Sequence, residues 1–146
     1  MKIIQDLLGR SPEHVLDPTL LLNATDWAQV AVPSDMQSPY VLTYELMPCD
    51  ELAVVAQRTA SQIKDARVSR IRGVPGVRAW PGIIEIDDAG PSEFVGLFQG
   101  ASAVVTNSFH GTAFAINFKK PVYPVIPCRM SNAGRIESLL KVVGLS

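Results

Sequence analysis

The stretch Val104-Val105-Thr106-Asn107-Ser108-Phe109-His110-Gly111-Thr112 holds the densest chemistry of the chain. It reads as a short apolar strand, a polar turn and a helix start. Such a turn lies at the carboxyl end of a strand, where the free amides of the next helix attract anions. Thr106, Asn107, Ser108 and Thr112 add hydroxyl and amide groups. Gly111 permits a ligand to approach the backbone. His110 is the one side chain there able to move a proton near neutral pH. The segment therefore suits phosphate or carboxylate binding joined to proton transfer. A plainer role fits the same residues: Asn107 or Ser108 caps the helix, and His110 is a hydrogen-bonded structural histidine.

Other polar and aromatic residues suggest less. Asp17, before Pro18, fits a turn or a backbone contact better than a catalytic base. His14 reads as structural or exposed. Asp87 and Asp88 are adjacent, so on a strand they point to opposite sides and do not form a glycosidase pair. Trp27 suits packing; Trp80, in a loop, is the better platform for a sugar. His14, His110, Cys49 and Cys128 lack the spacing of metal ligands, so no metal is expected, and no cofactor.

The elements that must position these residues alternate along the chain. Residues 13–16 suggest a strand ending at Asp17-Pro18, and Asn23 with Asp26 marks a helix start. Tyr40–Tyr44 is a short β-rich run. Leu52, Val55, Ala56 and Ile63 recur at helical spacing, predicting a helix from Glu51 to about Lys64. Residues 67–72 alternate apolar and basic side chains, as an edge strand would. Gly73 to Gly90 reads as a mobile or ligand-facing loop, broken by a short strand near 83–86. Pro91 suits the first turn of a helix that runs on through Phe94, Leu97, Phe98 and Ala101. A strand at 103–106, a helix at 111–118, a strand at 121–126 and a helix carrying Ile136, Leu139, Leu140 and Val143 complete the order. The pattern predicts a single α/β domain: an open, mostly parallel sheet with helices on both faces.

Length and composition agree. The 146 residues are 47% apolar and 18% charged, enough for one buried core and too apolar for wholesale disorder. Thirteen basic against fourteen acidic residues give a net charge of −1, with no basic stripe for nucleic acid. No apolar run approaches a membrane span, and the first residues do not form a signal peptide. Two isolated cysteines fit a reduced, cytoplasmic protein.

Thr106-Asn107-Ser108-Phe109-His110-Gly111, followed by Lys120-Pro121-Val122, resembles the signature of the polysaccharide pyruvyl transferase family. Asp17-Pro18-Thr19-Leu20-Leu21-Leu22, Gly90-Pro91-Ser92-Glu93-Phe94 and Asn132-Ala133-Gly134-Arg135-Ile136-Glu137-Ser138-Leu139-Leu140 match further elements of that family in the same order. The resemblance implies one half, the C-terminal one, of a two-lobed architecture of Rossmann-like halves similar to GT-B glycosyltransferases. Met1 directly before family-like sequence suggests a fragment, whose N-terminal half or a second copy would complete the cleft. The implied activity is transfer of pyruvate from phosphoenolpyruvate onto a saccharide acceptor in exopolysaccharide biosynthesis, as a ketal. His110 is then the expected acid or phosphate contact. The helix N-terminus at Gly111-Thr112 would help hold the anion, and Arg129 and Arg135 are candidate forks for carboxylate or phosphate. Many members place Arg where Ser108 stands, which leaves the donor open. A nucleotide-sugar-binding half of a glycosyltransferase and a non-catalytic anion- or partner-binding module are the rival expectations.

Overall fold

The computed structural model describes residues 2–11, 13, 15–73, 78–127 and 133–145. Five strands form one parallel sheet: β1 (Tyr40–Glu45), β2 (Arg67–Arg72), β3 (Ile84–Ile86), β4 (Ala103–Thr106) and β5 (Val122–Pro124), in the order β3-β2-β1-β4-β5. The chain builds outward from β1 to β3, then returns to lay β4 against the other side of β1. The order therefore reverses between β1 and β4, and their carboxyl ends define the crevice where sheets of this kind receive ligands.

Among the described residues, six α-helices accompany the strands: α1 (Lys2–Leu8), α2 (Ala24–Ala28), α3 (Asp50–Ala60), α4 (Pro91–Gly100), α5 (Phe109–Asn117) and α6 (Ala133–Val142). Alternate residues of β1 face opposite ways. Tyr40 and Leu42 pack with Phe98, Val104 and Phe114 beneath α4 and α5, while Val41 packs with Leu52, Ala56, Val68 and Val105 beneath α3. Both faces of the sheet are covered, as a parallel sheet requires.

Local chemistry explains most boundaries. Asn23 accepts from the amides of Thr25 and Asp26 while the Asp26 carboxylate returns to the Asn23 amide, a reciprocal cap that starts α2. Pro91 opens α4, with Glu93 in its first turn.

Three expectations are corrected. Residues 13, 15 and 16 form no strand; Val15 and Leu16 are exposed, with no neighbouring strand to pair with. α3 ends at Ala60, short of Lys64: the amides of Ser61, Gln62 and Ile63 turn back in a tight coil, and Asp65 then takes a left-handed φ of 59°. β2 is not an edge but lies between β1 and β3, with Arg70 wholly buried. Gly73–Gly90 does carry the short strand, β3; its residues 74–77 lie outside the described ones.

Candidate functional site

The turn between β4 and α5 is built from its own side chains. Thr106 Oγ1 donates to the Tyr44 carbonyl at 2.7 Å and accepts from the Ser108 amide at 3.0 Å. Asn107 Oδ1 accepts from the Leu46 amide at 2.8 Å, and its Nδ2 donates to the Met47 carbonyl at 2.7 Å, tying the ends of β1 and β4 together at the crevice. Ser108 caps α5: its Oγ accepts from the Gly111 amide, and its carbonyl accepts from the Thr112 amide and hydroxyl. All four of these polar residues are buried.

Of the two roles the sequence left open for this turn, the structure shows the capping one at Ser108. Thr106, Asn107, Ser108, Gly111 and Thr112 form the floor of the site, and their polar groups are engaged within it. The reason is burial: a turn enclosed between sheet and helix must satisfy its own donors and acceptors. Gly111 is needed for packing, since an added Cβ would stand 2.6 Å from Thr106 Oγ1. Gly111→Ala should lower unfolding free energy by about 1–3 kcal/mol from overpacking, despite a helix-propensity gain of up to about 1 kcal/mol. A urea melt measures this, and an unchanged midpoint would show that the turn yields.

His110 points the other way. Its side chain is 51% exposed, and Nε2 lies 4.0 Å from Asp17 Oδ2. Arg135, near the start of α6 and equally exposed, brings Nη2 to 3.6 Å from the same oxygen. Its guanidinium stacks 4.2 Å above the centre of the Phe109 ring, which meets the His110 ring edge-on at 5.4 Å. Four residues from three distant segments thus converge beside the carboxyl end of β4. Asp17, Phe109 and Arg135 line an open cleft of about 470 Å³, together with Val15, Leu16, Leu20 and Leu139, and His110 stands beside it through its approach to Asp17.

Asp17 is held firmly. Its Oδ1 accepts from the amide and hydroxyl of Thr19, at 3.1 and 2.8 Å. The segment that follows runs along α5, where Asn117 Nδ2 donates to the carbonyls of Thr19 and Leu22 and Trp27 Nε1 donates to that of Thr19. Partial burial pushes the Asp17 carboxyl up. The Thr19 amide and hydroxyl, and then the His110 and Arg135 charges, outweigh that and hold it below the ordinary carboxylate value.

The structure brings together His110 and Arg135 among the expected ligand contacts. It adds Phe109 and Asp17, whose turn role was legible but whose approach to His110 was not. Arg129, His14 and Cys128 lie outside the described residues. Trp27 packs against Phe114 at 5.0 Å, as expected. Trp80 differs from expectation: the Arg70 guanidinium sits 3.9 Å from its ring centre, which occupies one face. Asp87 pairs with Arg72, at 2.5 and 2.7 Å.

A second charged cluster went unread. Glu45, Arg70 and Glu85 lie side by side across β1, β2 and β3 on the α3 face. Arg70 pairs with the Glu45 carboxylate, contacts Glu85 at 3.1 Å and donates to the Arg78 carbonyl at 3.0 Å. Glu45 also accepts from the Cys49 amide ahead of α3.

The family model for polysaccharide pyruvyl transferase matches residues 2–128. The chain belongs to the polysaccharide pyruvyl transferase family. Among solved structures, the glycosyltransferase SnogD from Streptomyces nogalater is similar over 89% of this chain, at 14% identity and a TM-score of 0.47. The chain spans 33% of that protein's length. No curated protein matches it significantly. The His110 segment and the Asp17 turn both fall inside the matched family region, and Arg135 lies just beyond it. Among the described residues of this pyruvyl transferase family member, no helix is long and apolar enough to cross a membrane.

Proposed function

We propose that this chain forms the donor-binding half of a transferase that moves the pyruvyl group of phosphoenolpyruvate onto a sugar of a cell-surface polysaccharide. The observation that supports it is the convergence of an exposed imidazole and an exposed guanidinium on the same Asp17 oxygen at the edge of the cleft, in a member of this family. Arg135 is suited to grip the donor's carboxylate or phosphate. His110 is suited to protonate the enol carbon. Protonation at that methylene carbon makes it a methyl group and leaves a cationic centre at its neighbour. One sugar hydroxyl attacks that centre, the C–O bond to phosphate breaks, and a second hydroxyl closes the ketal. Of the two hydroxyl protons, one replaces the proton given by the imidazole and the other leaves with phosphate. A phosphorylated metabolite as donor fits a cytoplasmic reaction, and the acceptor would enter from a facing lobe, either an N-terminal half or a second copy.

The rival nucleotide-sugar reading is less supported. A diphosphate would seek free amides at a crossover. At β1–α3 the Leu46 and Cys49 amides already donate to Asn107 and Glu45, and at α5 the Gly111 and Thr112 amides donate to Ser108. Four of the crossover amides are thus already engaged within the protein.

Thermal-shift titration with phosphoenolpyruvate, UDP and GDP tests the proposal. Phosphoenolpyruvate at a hundred times its Kd should add about 2.7 kcal/mol of stability, and Arg135→Gln should abolish the shift. Where pyruvyl transfer is assayed, His110→Ala should cut kcat by about 10²–10⁴-fold. A shift with UDP or GDP alone would support a nucleotide-sugar site. No shift with any of the three would leave a non-catalytic module.

A further inference from the structure

The two oxygens of Asp17 have different surroundings. Oδ1 is fastened to Thr19, within a segment clamped along α5 by Asn117 and Trp27. Oδ2 faces outward to Arg135 and His110. The carboxylate is 17% exposed and cannot swing away without breaking both Thr19 bonds. An anion arriving at Arg135 therefore meets a fixed negative charge on the same guanidinium.

We propose that Asp17 is a positioning residue and built-in counter-ion of the donor site. It orients Arg135 at the cleft and holds His110 beside it, and it weakens the hold on phosphate so that the product leaves. This rests on the donor-site reading above. Arg135 can serve an incoming anion while still touching Asp17, because a guanidinium offers five N–H donors in a planar fork. The Phe109 ring under the guanidinium fixes its plane. A donor bearing both carboxylate and phosphate has further contacts to compensate for the repulsion. Free phosphate has fewer and is released more readily.

The test is calorimetric titration of the chain with inorganic phosphate and with phosphoenolpyruvate, in wild type, Asp17→Asn, Arg135→Gln and the double variant. Asparagine preserves the turn, since its side-chain oxygen caps equally well. Asp17→Asn should tighten phosphate binding by roughly three- to tenfold, a Coulomb effect muted by solvent. The gain should be at least as large for phosphoenolpyruvate, which carries more negative charge, and should vanish in the Arg135→Gln background. Damage to the turn would only weaken binding, so tighter binding cannot come from a structural role. Unchanged or weaker phosphate binding in Asp17→Asn overturns the counter-ion role, even where wild type binds phosphoenolpyruvate and the donor reading stands. Tighter phosphate binding with no affinity for phosphoenolpyruvate in any variant upholds the counter-ion and overturns the donor reading. No binding of either anion by any variant overturns both.

Discussion

Arg70→Met should destabilise the fold by about 3–5 kcal/mol, the cost of leaving buried carboxylates without their counter-charge. Arg70 is fully buried and the Glu45 side chain is only 2% exposed, so water cannot take the place of the lost guanidinium. Glu85 would lose its 3.1 Å contact as well, and the Arg78 carbonyl and Trp80 ring would lose the group that docks them onto the sheet. Chemical denaturation measures the loss. Adding Glu45→Gln should recover a large part of it, because glutamine keeps an acceptor for the Cys49 amide and removes the stranded charge. A double variant no more stable than Arg70→Met would show that lost packing, not charge, is responsible. The cluster spans β1, β2 and β3, with Glu45 at the carboxyl end of β1, so its loss should also loosen that part of the sheet.

The second large effect is expected at Gly96. This residue lies within α4, where the backbone at Val32 passes directly over it and the Val32 amide donates to the Ser92 carbonyl at 3.0 Å. A Cβ on residue 96 would fall 1.7 Å from the Val32 carbonyl oxygen and 2.7 Å from its carbon. Backbone atoms on both sides leave no flexible side chain to yield. Gly96→Ala should cost roughly 3 kcal/mol or more, at the upper end of overpacking effects, as α4 and the segment around Val32 separate. Gly134→Ala in α6 is the matched control. Nothing lies within 4 Å of its added Cβ, so it should gain about 0.5–1 kcal/mol from helix propensity. Equal melting temperatures for the two variants would refute the steric account.

Much of the framework was legible in the residues themselves. Pro91 and Glu93 announced α4, Asn23 and Asp26 announced α2, and the β-rich run at Tyr40–Tyr44 announced β1. The strand-turn-helix at 103–118 was legible because an apolar run, a capping serine and a glycine follow one another within a dozen or so residues. Such signals are local: propensity, caps and periodicity act over one or two turns of chain. The failures were of a different sort. Residues 13–16 have strand composition, but only a neighbouring strand could have made them one. The basic alternation of β2 looks solvated until Glu45 and Glu85 arrive beside it, 25 and 15 residues away along the chain.

The same division runs through the site. By itself the sequence determined that His110 would follow a strand at the head of a helix, and that Asp17 would form a turn or contact the backbone. Only the tertiary structure decided that Thr106, Asn107 and Ser108 would face inward while His110 and Arg135 met across Asp17. The reason is that a side chain's neighbours depend on how sheet order and helix packing juxtapose distant segments. No spacing along the chain encodes the direction in which a buried turn must satisfy its hydrogen bonds, or which carboxylate a surface arginine will find.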